Sequence, residues 1–586
     1  MMRNPLLNKH MPALNLFFFT VKKNLPLMLL ALAVMALVNP GLIVTQIVDT
    51  LDSIGFKQPY DMTDVVTVVG VGTTVTTSLM AMLLCLINFS YLYKKSASDV
   101  YHALPVSRTK LLLARFFGSI VPALAPMLLS YVSLTCMGLI DRVNLNFGDV
   151  WLHALTNVAI LLLCAAFTMI FLVCAGNTFS FFASIIGVNI SIPIIVYIGM
   201  SLCENYLFGF VQDDTIVYNC TPVLYAFSQY RFLGAADGWT SILWSLPVIL
   251  LLTVICLGVS ILLYNRRKSE KSGETYAFKF VYYIVAVLLA FIGAFAVGYI
   301  FSEGDFDLAF WVFGLAGGIL TAIAFGAITD KGFKTVKRSV ILGGCAYVIM
   351  LLFTFGIILD ITGYEQRVPA VEDVKTVTID DSRHSMSDLV LDDPTTAVAL
   401  HQSFIDNHHS EYDEHVGRIT LEYTLKNGST VAREYVLSSE KEYDEYLAMV
   451  SSDSYRKAVT EELNELYAPH ILERSFSIET YCYNELTNED ETYTLTLDDA
   501  QLAEFLELYF RELAVADRRG LTGYAGGMRT NYYLNGSGLS AGNSHSSGSY
   551  DYRSFYMHLI ISPTMTETNQ YLAALKLDMD LAKVEG

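Results

Sequence analysis

Long apolar stretches recur along the first part of the chain, and short polar segments separate them. A helix needs about 20 apolar residues to cross the hydrocarbon core of a bilayer. The pattern predicts nine membrane-spanning helices, at residues 25–48, 66–92, 114–139, 151–174, 179–202, 240–264, 280–301, 308–329 and 339–361. A short amphipathic segment precedes the first span, so we expect a cytoplasmic or interfacial helix within residues 1–24.

Beyond residue 362 the apolar stretches shorten, and strand patterns alternate with amphipathic helices. Two alternating segments flank Asn427-Gly428, which is the strongest short-range signal for a β-hairpin. Further strands are expected at 374–379, 480–484, 491–497 and 553–561, and helices at 394–407, 439–451, 453–466, 502–513 and 567–575. The Gly- and Ser-rich segment 537–549 predicts a flexible loop. Strand, helix, hairpin and helix recur loosely, which leaves open whether this region consists of two related halves.

Charged residues, like apolar ones, are distributed unevenly along the chain. The whole chain is 53% hydrophobic and only 16% charged. Residues 1–363 carry 21 basic and 18 acidic side chains, whereas residues 364–586 carry 17 and 39. An apolar, weakly basic part therefore precedes a strongly acidic one. This balance argues against nucleic acid as a partner, because phosphate contacts need clustered Lys and Arg.

The basic residues between the spans predict the orientation in the membrane. One alternating set of gaps holds 18 Lys and Arg residues, whereas the other holds only Lys57, Arg142 and Arg231. The N-terminus is therefore predicted to be cytoplasmic. An odd number of spans then places the acidic C-terminal region outside the cell membrane.

These observations predict the fold class and its division. We expect a polytopic α-helical membrane protein with about nine transmembrane helices and a C-terminal extracytoplasmic α+β domain. The expected parts are the N-terminal helix 1–24, a six-span core 25–265, three additional spans 266–362, and the outer domain 363–586.

The loop between spans two and three carries the most informative pattern. Its residues 94–111 read KKSASDVYHALPVSRTKL. Ser96 or Ser98 is expected to cap a first short helix, and Ser107 a second one. Pro105 should separate them, because the residue before a proline avoids the helical region. A short helix on the cytoplasmic face offers a partner a surface to push on; alternatively, the loop is an ordinary one whose basic residues only fix the orientation.

The segment Asp-x-x-x-x-Leu-Pro-Val-Ser-Arg, at residues 99–108, resembles the cytoplasmic loop of ABC transporter permeases of the type-2 exporter class. The resemblance covers residues 10–265. The extra spans and the outer domain depart from the six-span pattern and resemble longer permeases of Gram-positive bacteria. In that family the loop carries a coupling helix that docks on a separate cytoplasmic ATPase.

The resemblance implies roles for residues of this loop. Asp99 to Leu104 would form the coupling helix, Pro105 would set the corner, and Arg108 and Lys110 would face the ATPase or lipid phosphates. The implied docking residues are Asp99, Val100, His102, Leu104, Pro105, Arg108 and Lys110. It also implies a second permease copy or a paralogue as partner. ATP would be used by the ATPase subunit, and this chain would bind no cofactor. His102 is either a pH-sensitive contact or an ordinary surface histidine.

Other candidate sites are weaker. Thr73, Thr74 and Thr77 either line a translocation path or serve helix packing. No Gly-x-x-x-x-Gly-Lys-Ser/Thr occurs in the sequence, so the chain has no phosphate-binding loop of its own. Gly538 to Gly542 matches Gly-x-Ser-x-Gly, but it lies in the predicted loop rather than between a strand and a helix.

The His- and carboxylate-rich segment 406–415 is interpreted as a solvated helix end, so no metal site is expected. Cys203 and Cys220 share one polar segment and are either a disulfide or two free thiols.

A membrane receptor whose outer domain binds a ligand is the main alternative function, and a membrane-anchored enzyme is another. The cargo, and whether it is exported or extracted from the outer leaflet, is left open.

Overall fold

The structure is a computed structural model. It describes residues 12–54, 60–61, 63–139, 143–229, 238–302, 306–407, 417–467, 471–484, 489–514, 516, 524–525, 528–540, 551–562 and 564–585. The chain forms two compact units: residues Met1–Met200 with Asp213–Phe355, and residues Ser201–Gln212 with Gly356–Gly586.

Long helices build the first unit. They are α1 (Pro12–Ile54), α2 (Thr63–Phe89), α3 (Lys95–His102), α4 (Arg108–Met137), α5 (Phe147–Cys174), α6 (Thr178–Tyr206), α7 (Thr215–Asn219), α8 (Pro222–Ser228), α9 (Gly238–Arg266), α10 (Lys279–Phe301), α11 (Leu308–Thr329) and α12 (Val336–Ile358). Within the described residues, nine of these are long and apolar enough to cross a membrane, as predicted. Two short strands, β1 (Tyr60–Asp61) and β2 (Val143–Asn144), pair in parallel.

The first helix differs from the expectation. α1 has 43 residues, which corresponds to roughly 65 Å, about twice the thickness of a hydrocarbon core. Among the residues whose side chains the structure describes, the candidate membrane span in this helix is Ala13–Ala36, which overlaps the predicted span 25–48. The described part of the predicted interfacial segment is continuous with the first span, because neither Lys22-Lys23 nor Pro26 interrupts the helix. Its position at the membrane interface stays a prediction.

Helix α5 is the centre of the first unit. It is buried along most of its length and packs against α2, α4, α8 and α9. Helix α1 packs against α4, and α10 packs against α11. Because α5 contacts α2, α4, α8 and α9, it is the main packing partner of these helices.

The connections that follow α2, α5, α9 and α11 contact one another. His102, after α2, is hydrogen-bonded to Ser269, after α9. The turn between α5 and α6 exchanges backbone bonds with residues 273 and 275, and Thr275 bonds Asp330, after α11. This is the arrangement expected of helices that run alternately up and down. Which end faces the cytoplasm remains a prediction from the charges.

Two antiparallel sheets with helices form the second unit. The first sheet has the strand order β4-β3-β5-β6 and the second the order β8-β7-β10-β11, with β9 beside β10. The strands are β3 (Val374–Asp381), β4 (Met386–Leu391), β5 (Arg418–Leu425), β6 (Thr430–Val436), β7 (Ile471–Asn484), β8 (Glu489–Leu497), β9 (Tyr524–Ala525), β10 (Met528–Ser540) and β11 (Asp551–Leu559). The helices are α13 (Thr395–Asp406), α14 (Glu440–Val450), α15 (Asp453–Asn464), α16 (Asp499–Leu513) and α17 (Thr566–Glu585).

The two sheets share one topology. Each consists of a hairpin, a helix, a second hairpin and a closing helix, and the first strands of the two hairpins pair in the middle. The structure therefore supports the interpretation of two related halves.

Two expectations about the segment 537–549 need correction. Ser537 to Ser540 belong to β10 rather than to a loop, because both sides of this central strand are paired. The Gly-x-Ser-x-Gly match therefore begins in that strand.

A buried polar cluster joins the two halves. The Asp381 carboxylate accepts hydrogen bonds from His384 Nδ1 at 2.8 Å, Tyr446 OH at 2.9 Å and Tyr455 OH at 3.0 Å. His384 Nε2 lies 3.1 Å from the hydroxyl of Tyr509 on α16, in the second half. Burial tends to raise the pKa of Asp381, but His384 and these bonds hold it below its usual value. The carboxylate is thus a satisfied structural anion.

Residues Ser201–Gln212 belong to this second unit by their contacts. The Phe208 ring packs 5.0 Å from the Tyr435 ring, and Gly209 C=O accepts a bond from the Glu434 backbone N–H at 3.2 Å. Cys203 and Cys220 are separate thiols in the structure. Asp406 pairs with Lys441 at 2.9 Å, whereas the His-rich segment 408–415 lies outside the described residues.

Candidate functional site

The predicted loop contains one short helix and a tight corner. Helix α3 begins at Lys95, after Lys94, which makes no side-chain cap. The predicted cap at Ser96 or Ser98 is therefore wrong, because both residues already lie inside the helix. The Ser107 cap is confirmed, since its hydroxyl accepts a bond from Lys110 N–H. Leu104 and Pro105 lie in the turn between α3 and α4 rather than in a helix.

Helix α3 has an exposed face and a buried face. Its exposed side carries Lys95, Ser96, Asp99, Val100 and Ala103, a spacing that follows one side of a helix. We call these five residues the α3 face. Val100 is 65% exposed, so its apolar side chain is open to contact by a partner on this face.

Arg115 holds the buried side of α3. It is only 3% exposed, and its guanidinium lies 3.9 Å from the Tyr101 ring centroid and 4.6 Å from that of Tyr91. It also donates a hydrogen bond to the Asn88 carbonyl. Stacking of a desolvated guanidinium on an aromatic ring is worth about 2 kcal/mol. Arg115 therefore ties α3 to the ends of α2 and α4.

A hydrogen-bonded chain joins α3 to α9. His102 Nδ1 lies 2.8 Å from Ser269 Oγ, and His102 Nε2 lies 3.3 Å from Tyr264 OH. Tyr264 OH lies in turn 2.7 Å from Tyr91 OH. Burial lowers the pKa of His102, and the nearby cations Arg108 and Arg267 lower it further. The imidazole is therefore neutral at neutral pH and serves as an internal contact.

Arg267 donates hydrogen bonds to backbone carbonyl groups at the same end of the bundle. Its guanidinium donates to Leu92 C=O at 2.8 Å, to Ala175 C=O at 2.7 Å and to Val173 C=O. Val173 and Ala175 lie at the C-terminus of α5, where carbonyls lack helical partners and favour a cation. The side chain of Arg108 reaches Arg267 C=O at 2.8 Å. Arg267 thus links the residues after α2, α5 and α9.

The predicted docking residues divide into two groups. Asp99, Val100, Pro105 and Lys110 are exposed, as a docking surface requires. His102, Leu104 and Arg108 are partly buried, and the described contacts of His102 and Arg108 are internal. Arg115, Tyr91, Tyr264 and Arg267 were missed as site residues. The signal for Arg115 was available, since a charged residue inside an apolar span is a candidate functional residue.

The three threonines of α2 are buried. Thr74 Oγ1 donates to Gly70 C=O at 2.8 Å, and Thr77 Oγ1 to Thr73 C=O at 2.7 Å. This geometry favours helix packing, so a role in lining a path remains a prediction. An apolar groove of about 540 Å³ in this unit is bounded by other residues of α2, α6 and α8, with Ser78 and Asn189 as its polar members.

Among the described residues, no group of three or more His, Cys, Asp or Glu could hold a metal ion. No protein family, curated protein or solved structure matches the chain. The site is defined by its geometry: an exposed helix face whose inner side contacts Arg115 on α4 and Tyr264 on α9.

Proposed function

We propose that this chain is the membrane-spanning subunit of an ATP-driven exporter of the ABC type-2 class. A separate cytoplasmic ATPase would dock on the α3 face and drive the helices between two packed arrangements. The observation that supports this proposal is the α3 face itself. A solvent-facing stripe around Val100 sits on a helix whose other side is anchored in the bundle.

The anchoring explains how a push would reach the membrane helices. Arg115 connects α3 to α2 and α4 through Tyr91, Tyr101 and Asn88. Tyr264 and Arg267 extend these connections to α9 and to the end of the central helix α5. Close-packed helices deform little, so a displaced α3 would move the helix ends together rather than be absorbed locally.

Co-purification from native membranes tests the proposal. We expect a polypeptide with a Gly-x-x-x-x-Gly-Lys-Ser/Thr loop to co-purify with the wild-type chain in mild detergent. The variants Val100→Asp and Asp99→Lys should lose it, because each changes the docking surface without touching a buried contact. Phe333→Asp is the matched control, since Phe333 is 74% exposed in another connection of the helix bundle. It should retain the ATPase.

Two results would contradict the proposal. One is that no ATPase co-purifies with a correctly inserted wild-type chain. The other is that Val100→Asp and Phe333→Asp lose the ATPase equally. The first result would favour the alternative function, a membrane receptor whose outer domain binds a ligand. The second would mean that the ATPase does not dock specifically on the α3 face.

A further inference from the structure

The second sheet of the outer unit has an unusual outward surface. Its inner surface packs into the core through residues such as Phe476, Ile478 and Leu534. Side chains alternate along a strand, so the neighbouring positions point away from that core. Among them are three tyrosines on three adjacent strands, with amide and carboxylate neighbours. We call this surface the tyrosine face: Tyr481, Glu479, Tyr533, Asn531, Asn535 and Tyr556.

The tyrosines are ordered against one another and remain open to solvent. The Tyr533 ring stacks 5.3 Å from the Tyr556 ring, and the Tyr481 ring meets it edge-on at 5.4 Å. Tyr481 OH donates to Glu479 Oε2 at 2.7 Å. Tyr481 and Tyr556 are nevertheless 43% and 46% exposed. Large rings fixed in place but left in water lose little conformational entropy on binding a ligand.

The first sheet provides an internal comparison. It has the same topology, yet its outward positions carry threonines and charged residues: Thr378, Asp380, Thr420, Glu422 and Glu434. The fold therefore does not require an aromatic outward surface. The tyrosines of the second sheet need another explanation, and ligand binding supplies one.

The chemistry of the surface selects the class of ligand. Outward positions with described side chains in the second sheet are mainly tyrosine, asparagine, serine and threonine, with Glu479 as the one carboxylate and His558 as the one histidine. No Lys or Arg stands at these positions, and the guanidinium of Arg383, which bonds His558, is only 5% exposed. A single carboxylate that is already hydrogen-bonded to Tyr481 attracts a polycation only weakly.

We propose that the tyrosine face binds a neutral glycan. The C–H faces of a sugar ring carry partial positive charge and pack against the electron-rich faces of aromatic rings. The hydroxyl groups of the sugar match the donors and acceptors of amide, hydroxyl and carboxylate side chains. Extended antiparallel strands offer a broad surface on which several sugar units can lie. The proposal rests on the predicted extracytoplasmic location, not on the exporter function.

The test uses the full-length chain in lipid nanodiscs, which expose both sides of the membrane. The probes are a panel of neutral gluco-, galacto-, manno- and N-acetylglucosamine oligosaccharides, with heparin as an anionic and decalysine as a cationic probe. We expect at least one neutral oligosaccharide to bind with little dependence on salt. Tyr481→Ser and Tyr556→Ser should each weaken that binding by about tenfold, the loss expected for one aromatic contact.

Tyr493→Ser is the matched control. Tyr493 is 40% exposed in the same sheet, but its register on β8 assigns it to the opposite surface. It should bind the oligosaccharide as the wild type does. The proposal is overturned if no neutral oligosaccharide binds, or if the two face variants bind as tightly as the control. Salt-sensitive binding of heparin or decalysine alone would also overturn it and would indicate a charged partner.

Discussion

Buried cations at the end of the bundle determine where α3 lies. A guanidinium removed from water needs partners for its charge, and Arg115 finds them in two tyrosine rings and a carbonyl. Arg267 finds its partners in three carbonyls. Because both residues reach across elements, each fixes several segments at once.

Removal of the Arg115 side chain should loosen α3. Ser98 on its inner side is buried, whereas Ser96 is exposed. In an Arg115→Ala background, we expect maleimide labelling of a Ser98→Cys variant to accelerate about tenfold, which corresponds to a lost interaction of about 1.4 kcal/mol. Labelling of a Ser96→Cys variant should not change. Equal labelling of Ser98→Cys with and without Arg115 would mean that the guanidinium does not hold the helix.

His401 makes the outer unit sensitive to acid. Burial lowers the pKa of His401 to about 4, with Arg433 adding to the effect, while an unfolded histidine titrates near 6.5. Between these values the unfolded chain binds more protons, so stability falls as pH falls through this range. We expect a loss of about 2 kcal/mol between pH 7 and pH 5. Hydrogen exchange in β5 and β6, corrected for intrinsic rates, measures it.

His401→Gln separates this effect from general acid sensitivity. The amide can still bond the hydroxyls of Tyr423 and Tyr435, which lie 3.2 and 2.8 Å from the imidazole, but it does not titrate. The variant should show a smaller change in protection between pH 7 and pH 5. An unchanged pH dependence would assign the sensitivity to other groups, of which His558 is the first candidate because burial and Arg383 lower its pKa to about 3.

Small residues allow the helices α11 and α12 to approach each other closely. A Cβ added at Gly343 on α12 would lie 2.6 Å from the Cα of Ile319 on α11. The next residue, Gly344, has nothing within 4 Å of such a Cβ. The adjacent pair therefore separates the effect of helix contact from that of helix propensity.

Gly343→Ala should destabilise the packing of α11 against α12 by about 1–3 kcal/mol. Gly344→Ala should be neutral or slightly stabilising, because alanine favours a helix more than glycine does. Thermal unfolding in detergent, followed by helical circular dichroism, compares them. A lower midpoint for Gly344→Ala than for Gly343→Ala would contradict the observed helix contact.

The sequence predicted the elements whose signals are local. The apolar spans and the hairpin around Gly428, which has a positive φ of 85°, depend on neighbouring residues. Strand β10 escaped prediction because Gly536, Gly538 and their serine neighbours indicate a loop. Only its pairing with both β7 and β11 makes it a strand. The cap of α3 failed for a similar reason, since its start depends on packing.

Within the candidate site, the sequence indicated the loop but not its anchors. The exposed residues Asp99 and Val100 follow from polarity and spacing. Tyr91, Arg115 and Tyr264 lie in different helices, and only tertiary packing brings them together. Contacts between distant segments leave no periodic signal in a single sequence.

In the whole molecule, a helical unit with nine described helices long and apolar enough to cross a membrane is combined with a second unit of two antiparallel sheets and helices. The α3 face would receive the ATPase on one side, and the tyrosine face would bind a glycan on the other. The two surfaces belong to different units and use different chemistry. Loss of one function by mutation should therefore leave the other intact.

Photo-crosslinking from residue 100 in native membranes tests whether an ATPase docks on the α3 face. A benzophenone amino acid in place of Val100 should form an adduct with a polypeptide that carries a Gly-x-x-x-x-Gly-Lys-Ser/Thr loop. The same group in place of Phe333 should not form that adduct. If residue 100 forms no adduct with an ATPase, or if residue 333 forms the same one, the α3 face is not the docking site.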